Sequence, residues 1–156
     1  MKMNIKNFLI AIAIPLAVGG FSAFLTSDAQ DIFSSLNKPP LAPPAWLFPV
    51  AWTILYILMG IGSYRIWTAV ATLEKRKTAL FLYGVQLFFN FIWPIIFFNL
   101  GEYFFAFVWI IALWLLIFLT YQHFRAIDML ASWLLIPYLV WVLFAAYLNF
   151  GIYFLN

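Results

Sequence analysis

Apolar residues fill this chain in long runs, and its few charged residues fall between them. Five stretches contain no Asp, Glu, Lys, Arg or His: residues 7–27, 39–64, 78–101, 103–122 and 129–156. Each can supply the ~20 residues an α-helix needs to cross the hydrocarbon core of a bilayer. Alternation of polar and apolar residues at period two is absent, which argues against a lipid-facing β-barrel. The pattern predicts an all-α membrane protein, a single five-transmembrane-helix bundle over residues 1–156. Its helices are expected at about 5–26, 44–67, 79–98, 103–122 and 129–154.

The longest connection, residues 27–44, is expected to form a lid loop between helices 1 and 2. Asp28, Asp31 and Asn37 make it polar. Ile32, Phe33 and Leu36 recur at near-helical spacing, which predicts a short amphipathic turn lying over the bundle. Connections of this length are often functional. The lid ends in "KPPLAPPAWLFPVAW", residues 38–52. Prolines lack the amide hydrogen and resist helix continuation, so Pro39, Pro40 and Pro43 hold the chain extended. Pro44 suits the first turn of helix 2. Pro15 predicts a kink in helix 1.

Composition agrees with lipid as the solvent. The chain is 67% hydrophobic and 8% charged, against ~25% charged in a soluble domain. The net charge of +3 marks topology and is no footprint of nucleic acid. Lys2, Lys6, Arg65, Lys75, Arg76, Lys77 and Arg125 share one side if the helices alternate, and Lys38 alone falls on the other. The positive-inside rule then places the N-terminus inside the cell membrane, and the lid and C-terminus outside. Lys2, Lys6, the following apolar run and Ser27-Asp28-Ala29 imitate a secretory signal, but that run is longer than a usual signal core. The transmembrane reading is preferred. Cysteine is absent, which excludes disulfides, thiolate catalysis and Cys-based metal sites.

Conventional catalytic constellations are missing. Asp28, Asp31, Glu74, Glu102 and Asp128 all fall in loops or at helix ends, and the single histidine, His123, reads as interfacial. No ionisable group lies deep in the membrane, where proton relays and ion-coupled transport require one. Ser22 and Ser132 have no nearby histidine, and no metal site is expected. What remains is aromatic surface with neutral polar groups. Trp52 and Tyr56 share a face of helix 2, Gln86, Asn90 and Trp93 a face of helix 3, and Tyr138, Trp141, Ala145 and Asn149 a face of helix 5. On helix 1, Gly19 and Ala23 allow close approach of a helix or ligand. The plain reading puts tryptophans in interfacial belts and uses buried amides to tie helices together. Trp67, Trp109, Trp114 and Trp133 are left to the belt or the lipid face. Trp52, Trp93 and Trp141 share faces with polar or small neighbours and suit a cavity for a flat, largely apolar ligand.

Three blocks carry a resemblance. "PPAWLFPVAWTILYILMGIGSY" (residues 43–64), "QLFFNFIWPIIFF" (86–98) and "IPYLVWVLFAAYLN" (136–149) resemble the translocator protein family, also called tryptophan-rich sensory protein or peripheral-type benzodiazepine receptor. The resemblance implies a five-helix bundle that pairs as a homodimer, with one pocket in its outer half under the lid. It implies protoporphyrin and related tetrapyrroles as ligands, none bound permanently as a cofactor, and isoquinoline carboxamide or benzodiazepine-type compounds as further ligands. Trp46, Trp52, Asn90, Trp93, Trp141, Ala145 and Asn149 correspond to the family's pocket positions. Several bacterial members resemble a photo-oxidative degrader of protoporphyrin. Trp52 and Trp141 are accordingly expected to face the macrocycle across the pocket as photochemical residues. Asn90 is expected to donate a hydrogen bond to the ligand, and Ala145 to keep the floor open. Two other functions stay open: transmembrane transport of tetrapyrroles, and sensing through a partner protein. The partners expected are tetrapyrroles and lipids.

The chain departs from the family pattern in three places. Its tail, "LNFGIYFLN", has no basic residue after Tyr153, which argues against sterol binding there. Gly84 is followed four residues on by Phe88, so the Gly-xxx-Gly that animal members carry on helix 3, linked with self-association, is missing. Pro49-Val50-Ala51 precedes Trp52 where the family commonly has Gly-Pro-Val.

Overall fold

In the computed structural model, which describes residues 3–156, five segments are long and apolar enough to cross a membrane. Lys2, counted above with the basic end, lies outside the described residues. The first span is α1 (Ile5–Leu25), followed by a short helix α2 (Ala29–Ser35). Then come α3 (Leu47–Thr68) and α4 (Leu73–Pro94), the latter continued by a π-helical turn, Ile95–Asn99. The fourth span is α5 (Tyr103–Arg125), and the fifth is two pieces, α6 (Met129–Trp133) and α7 (Ile136–Leu155).

Contacts set the order of the helices around the bundle. α1 packs on α3 and α4, α4 on α5, α5 on α7, and α6 closes the ring against α3. The interior is apolar and tight, with Met59, Ile66, Ala79, Ile117 and Phe124 fully buried. Outward residues such as Phe24, Phe81, Val140 and Phe154 are exposed, as a surface bathed in hydrocarbon allows.

Four boundaries differ from the expectation, each for a local reason. The second span starts at Leu47, because residues 44–46 form a turn. α4 begins at Leu73, six residues before the expected 79. Thr72 caps it by accepting the Lys75 amide at 3.4 Å, so the charged stretch 74–77 is a helix end rather than a loop. α5 continues through His123 to Arg125. The last span breaks at residues 134–135, just before Pro137 at the start of α7. Pro137 has no amide hydrogen to give the Trp133 carbonyl, so the helix restarts there.

Two prolines lie within spans. Pro15 is inside α1 and is buried. It offers no amide hydrogen to the Ala11 carbonyl. α3 packs against that oxygen: a Cβ on Gly60 would sit 2.9 Å from it and 2.8 Å from the Ile12 Cα. Only glycine admits so close a crossing. Pro94 ends α4, and the chain widens into i→i+5 bonding, with the Leu100 amide donating to the Ile95 carbonyl at 3.0 Å.

The basic end is knitted by polar contacts. The Asn4 amide donates to the Tyr64 hydroxyl (3.0 Å), joining the starts and ends of α1 and α3. Arg65 pairs with Asp128 at 2.7 Å, and Asp128 also caps α6 by accepting the Ala131 amide at 3.0 Å. Burial alone would raise the Asp128 pKa. The Ala131 amide and the Arg65 guanidinium outweigh it and hold the carboxyl below its ordinary value.

Candidate ligand-binding cavity

At the end of the bundle opposite the basic residues, the helices part around a cavity of about 540 Å³. That is within the ~300–1,000 Å³ typical of small-molecule sites. Every span contributes. α1 supplies Gly19, Ser22 and Ala23, and its C-cap Thr26 continues the same face at intervals of three and four. α3 supplies Phe48 and Trp52, α4 Asn90 and Trp93, α5 Ile110 and Leu113, and α7 Ala145 and Asn149. The start of α2 covers one side through Ala29, Gln30, Asp31 and Phe33. The amphipathic turn read from Ile32, Phe33 and Leu36 is therefore α2. Phe33 is buried and edge-on to Phe48, with centroids 4.8 Å apart.

Gly19 is what admits Tyr56. A Cβ on Gly19 would overlap the Tyr56 ring. From that position Tyr56 stacks under Trp52, with centroids 5.7 Å apart at 29°, and starts a chain of buried hydrogen bonds. Its hydroxyl donates to Asn90 Oδ1 (2.7 Å), and Asn90 Nδ2 donates to the Tyr138 hydroxyl (2.7 Å). The Tyr138 hydroxyl in turn donates to Gln86 Oε1 (2.7 Å). The chain forms the inner floor. Beyond it, Gln86 Nε2 is buried without a partner among the described residues. A second clamp lies nearer the mouth: Trp93 Nε1 donates to Asn149 Oδ1 (3.1 Å), and Asn149 Nδ2 donates to the Tyr103 carbonyl (2.8 Å).

Of the residues singled out in the sequence, Ala23, Trp52, Tyr56, Asn90, Trp93, Ala145 and Asn149 line this cavity. Trp46, Tyr138 and Trp141 do not. Trp46 is 62% exposed: with α3 starting at Leu47 it stays on the preceding turn, and Phe48 takes the wall position one helical turn before Trp52. Tyr138 is fully buried one layer beneath, its hydroxyl committed to the floor and its ring edge-on to Trp52 at 6.0 Å. Trp141 packs edge-on against Phe48 at 5.8 Å, set back from the space by that ring, and its Nε1 is buried without a partner. Trp52 and Trp141 therefore do not confront each other across the cavity.

Sequence reasoning missed Ser22, Thr26, Phe48 and the α5 residues. The α1 pair carried a signal, since Gly19, Ser22, Ala23 and Thr26 are all small and share one face. Ile110 and Leu113 carried none. Two tryptophans left to the belt or the lipid face also pin helices together. Trp109 Nε1 donates to the Phe89 carbonyl (2.9 Å), and Trp114 Nε1 to the Leu139 carbonyl (3.0 Å).

A family model described as the TspO/MBR family matches residues 11–155, a span that holds every wall residue. The chain belongs to the TspO/MBR family. It is 42% identical over 159 residues to the tryptophan-rich protein TspO of Archaeoglobus fulgidus, covering 99% of each chain. It is 38% identical over 144 residues to the tryptophan-rich sensory protein of Cereibacter sphaeroides, covering 92% of this chain and 85% of that one. The translocator protein of Ovis aries is 36% identical over 135 residues, 85% of this chain and 80% of the relative. TspO/MBR membership and the five apolar spans together make this an integral membrane protein. The cavity is thus built within a TspO/MBR bundle, about half of its wall from the segments 43–64, 86–98 and 136–149 that carried the resemblance and the rest from α1, α2, α5 and the end of α7.

Proposed function

We propose that this protein binds a tetrapyrrole of the protoporphyrin class in the outer cavity and promotes its light-dependent oxidative breakdown. The observation that carries the reading is Trp52. Its indole is part of the wall of a cavity of small-molecule size and is stacked on one phenol and edge-on to a second. A flat macrocycle in that space meets an aromatic face. Once excited by light it can take an electron from the indole, the most easily oxidised side chain of the wall, with dioxygen as the terminal oxidant. Trp141, behind Phe48, belongs to the supporting layer, and Trp52 is the reactive residue of this proposal. Isoquinoline carboxamide and benzodiazepine-type ligands belong to the same site.

Relatives carry the names translocator protein and sensory protein. Passage through this bundle would have to break the Tyr56–Asn90–Tyr138–Gln86 floor, so the geometry supports retention of a ligand over conduction. The same proposal places the basic end inside the cell and pairs the chain as a homodimer. The test is illumination of the purified protein with protoporphyrin, following loss of porphyrin fluorescence. Trp52→Phe is expected to slow the loss sharply, and Trp141→Phe to slow it less. Equal rates for Trp52→Phe and wild type would refute the photochemical role. A dark liposome flux of porphyrin matching the lit rate would favour transport.

A further inference from the structure

We infer that the cavity is built for the neutral or cationic face of an aromatic ligand and turns away anionic groups, with Asp31 setting that preference. The inference rests on the tetrapyrrole reading and specifies how such a ligand sits. Among the described residues the wall contains no Lys, Arg or His, and its one residue of fixed charge is Asp31. The charged groups at this end of the bundle are Asp28, Asp31, Glu102 and Lys38. Lys38 is occupied elsewhere: its Nζ donates to the carbonyls of Phe33, Ser34 and Leu36 at 2.8–3.1 Å. It caps the end of α2 and lies over the ring of Phe33, 5.2 Å from its centroid, without lining the cavity itself. Asp31 makes no ion pair among the described residues.

The neutral polar groups lean the same way. The hydroxyl hydrogens of Ser22, Thr26 and Tyr56 are committed to the Phe91 carbonyl, the Ser22 carbonyl and Asn90 Oδ1. These hydroxyls therefore offer the cavity lone pairs only. The donors that remain are uncharged: one amide N–H each on Asn90 and Asn149 beyond those bonded to Tyr138 and Tyr103, and the side-chain donors of Ser27, Gln30 and Trp52, which also line the wall. A carboxylate held in an apolar wall needs a cation or strong donors to offset its desolvation, and this wall supplies no cation and only uncharged donors, with the Asp31 carboxylate beside them. The acid side groups of a macrocycle accordingly stay outside, and an N–H or ammonium edge is favoured next to Asp31.

The experiment uses the full-length protein in nanodiscs of zwitterionic lipid, in the dark. Tryptophan quenching is titrated with three forms of one macrocycle: protoporphyrin, its dimethyl ester and its bis(aminoethyl) amide. For each form the quantity read is the ratio of Kd in Asp31→Asn to Kd in wild type, which cancels differences in lipid partitioning. Asp31 is exposed, so the substitution leaves the fold intact. The variant is expected to bind the diacid more tightly and the diamine more weakly, each by about threefold, the scale of an exposed charge pair. The diester should not change. One common ratio for all three forms, or weaker binding of the diacid by the variant, overturns the charge preference. Failure of all three forms to quench the wild type removes the tetrapyrrole reading, and the inference falls with it.

Discussion

Tyr138→Phe tests whether the cavity floor holds the bundle together. The change deletes one oxygen and leaves the ring that packs beside Trp52. That oxygen accepts from Asn90 Nδ2 and donates to Gln86 Oε1, both at 2.7 Å. Gln86 Nε2 has no partner already, so the variant leaves the whole Gln86 amide unpaired and fully buried. Hydrogen bonds between membrane helices average ~0.6 kcal/mol, which puts two at ~1.2 kcal/mol. An amide left buried and unpaired adds part of the ~1–3 kcal/mol desolvation penalty, for a total near 2 kcal/mol. Tyr56→Phe is the control. It loses a single bond, and the freed Asn90 oxygen faces a cavity that water can enter, so the expected loss is ~0.6 kcal/mol. The difference, ~1.4 kcal/mol, is about tenfold in the unfolding equilibrium. Titration with SDS in mixed micelles, followed by far-ultraviolet circular dichroism, measures it. Gln86→Leu combined with Tyr138→Phe removes both partners and is expected to recover most of the loss. If Tyr138→Phe costs no more than Tyr56→Phe, or the double variant does not recover, the floor is not a stabilising network.

The crossing of α1 and α3 gives a second test. Gly60→Ala would press a methyl within 2.8 Å of backbone and is expected to lose ~1–3 kcal/mol in the same titration. Gly84→Ala, with nothing within 4 Å of the new carbon, is expected to be neutral or stabilising by up to ~1 kcal/mol. Gly19→Ala would drive the Tyr56 ring off its place and into the cavity; porphyrin affinity read by quenching should fall at least about fivefold, the low end of the ~1–3 kcal/mol that overpacking costs. Asp128 has a lowered folded pKa, so its contribution is present above the ordinary carboxylate range and is lost as pH falls through the folded value. Asp128→Asn should cost up to ~1 kcal/mol at neutral pH and remove that acid-side slope in a thermal melt.

The spans were legible because their only requirement is a long apolar run, and every run found in the sequence crosses the bundle. Their ends were less legible. The stretch 74–77 looks like a loop by charge, yet Thr72 caps it into α4 and its long side chains reach water from the helix end. Leu134 and Leu135 carry no mark of the break between α6 and α7; Pro137, two positions on, does. The wall was half legible. Polar and small residues at helical spacing pointed to Asn90, Asn149, Ala145 and Ala23, because a buried amide in lipid must face protein. Tryptophan was the weak guide. Trp46 and Trp141 lie outside the wall and Trp109 and Trp114 tie helices together, since an indole is equally at home in a belt, in a wall or as a donor to a neighbouring helix. Only the start of α3 and the position of Phe48 decide between Trp46 and Trp52.

The proline stretch is best understood through what grips it. Pro39 lies against Gly151, where a Cβ would come within 2.5 Å of its ring. The Tyr147 hydroxyl donates to the Pro40 carbonyl at 2.8 Å. The Asn156 side chain pairs in both directions with the backbone of Asn37, accepting its amide (3.0 Å) and donating to its carbonyl (2.8 Å). Leu41, at φ 68°, takes a conformation costly for a branched side chain, so these contacts hold the turn against its own preference. Residues 37–41 are thus a post fixed to α7. By contrast, the buried apolar anchor of α2 is Phe33, and α2 ends in carbonyls capped by Lys38 from the post itself. α2 is therefore held at both faces, by Phe33 in the wall of the cavity and by Lys38 reaching back from the post to its last carbonyls.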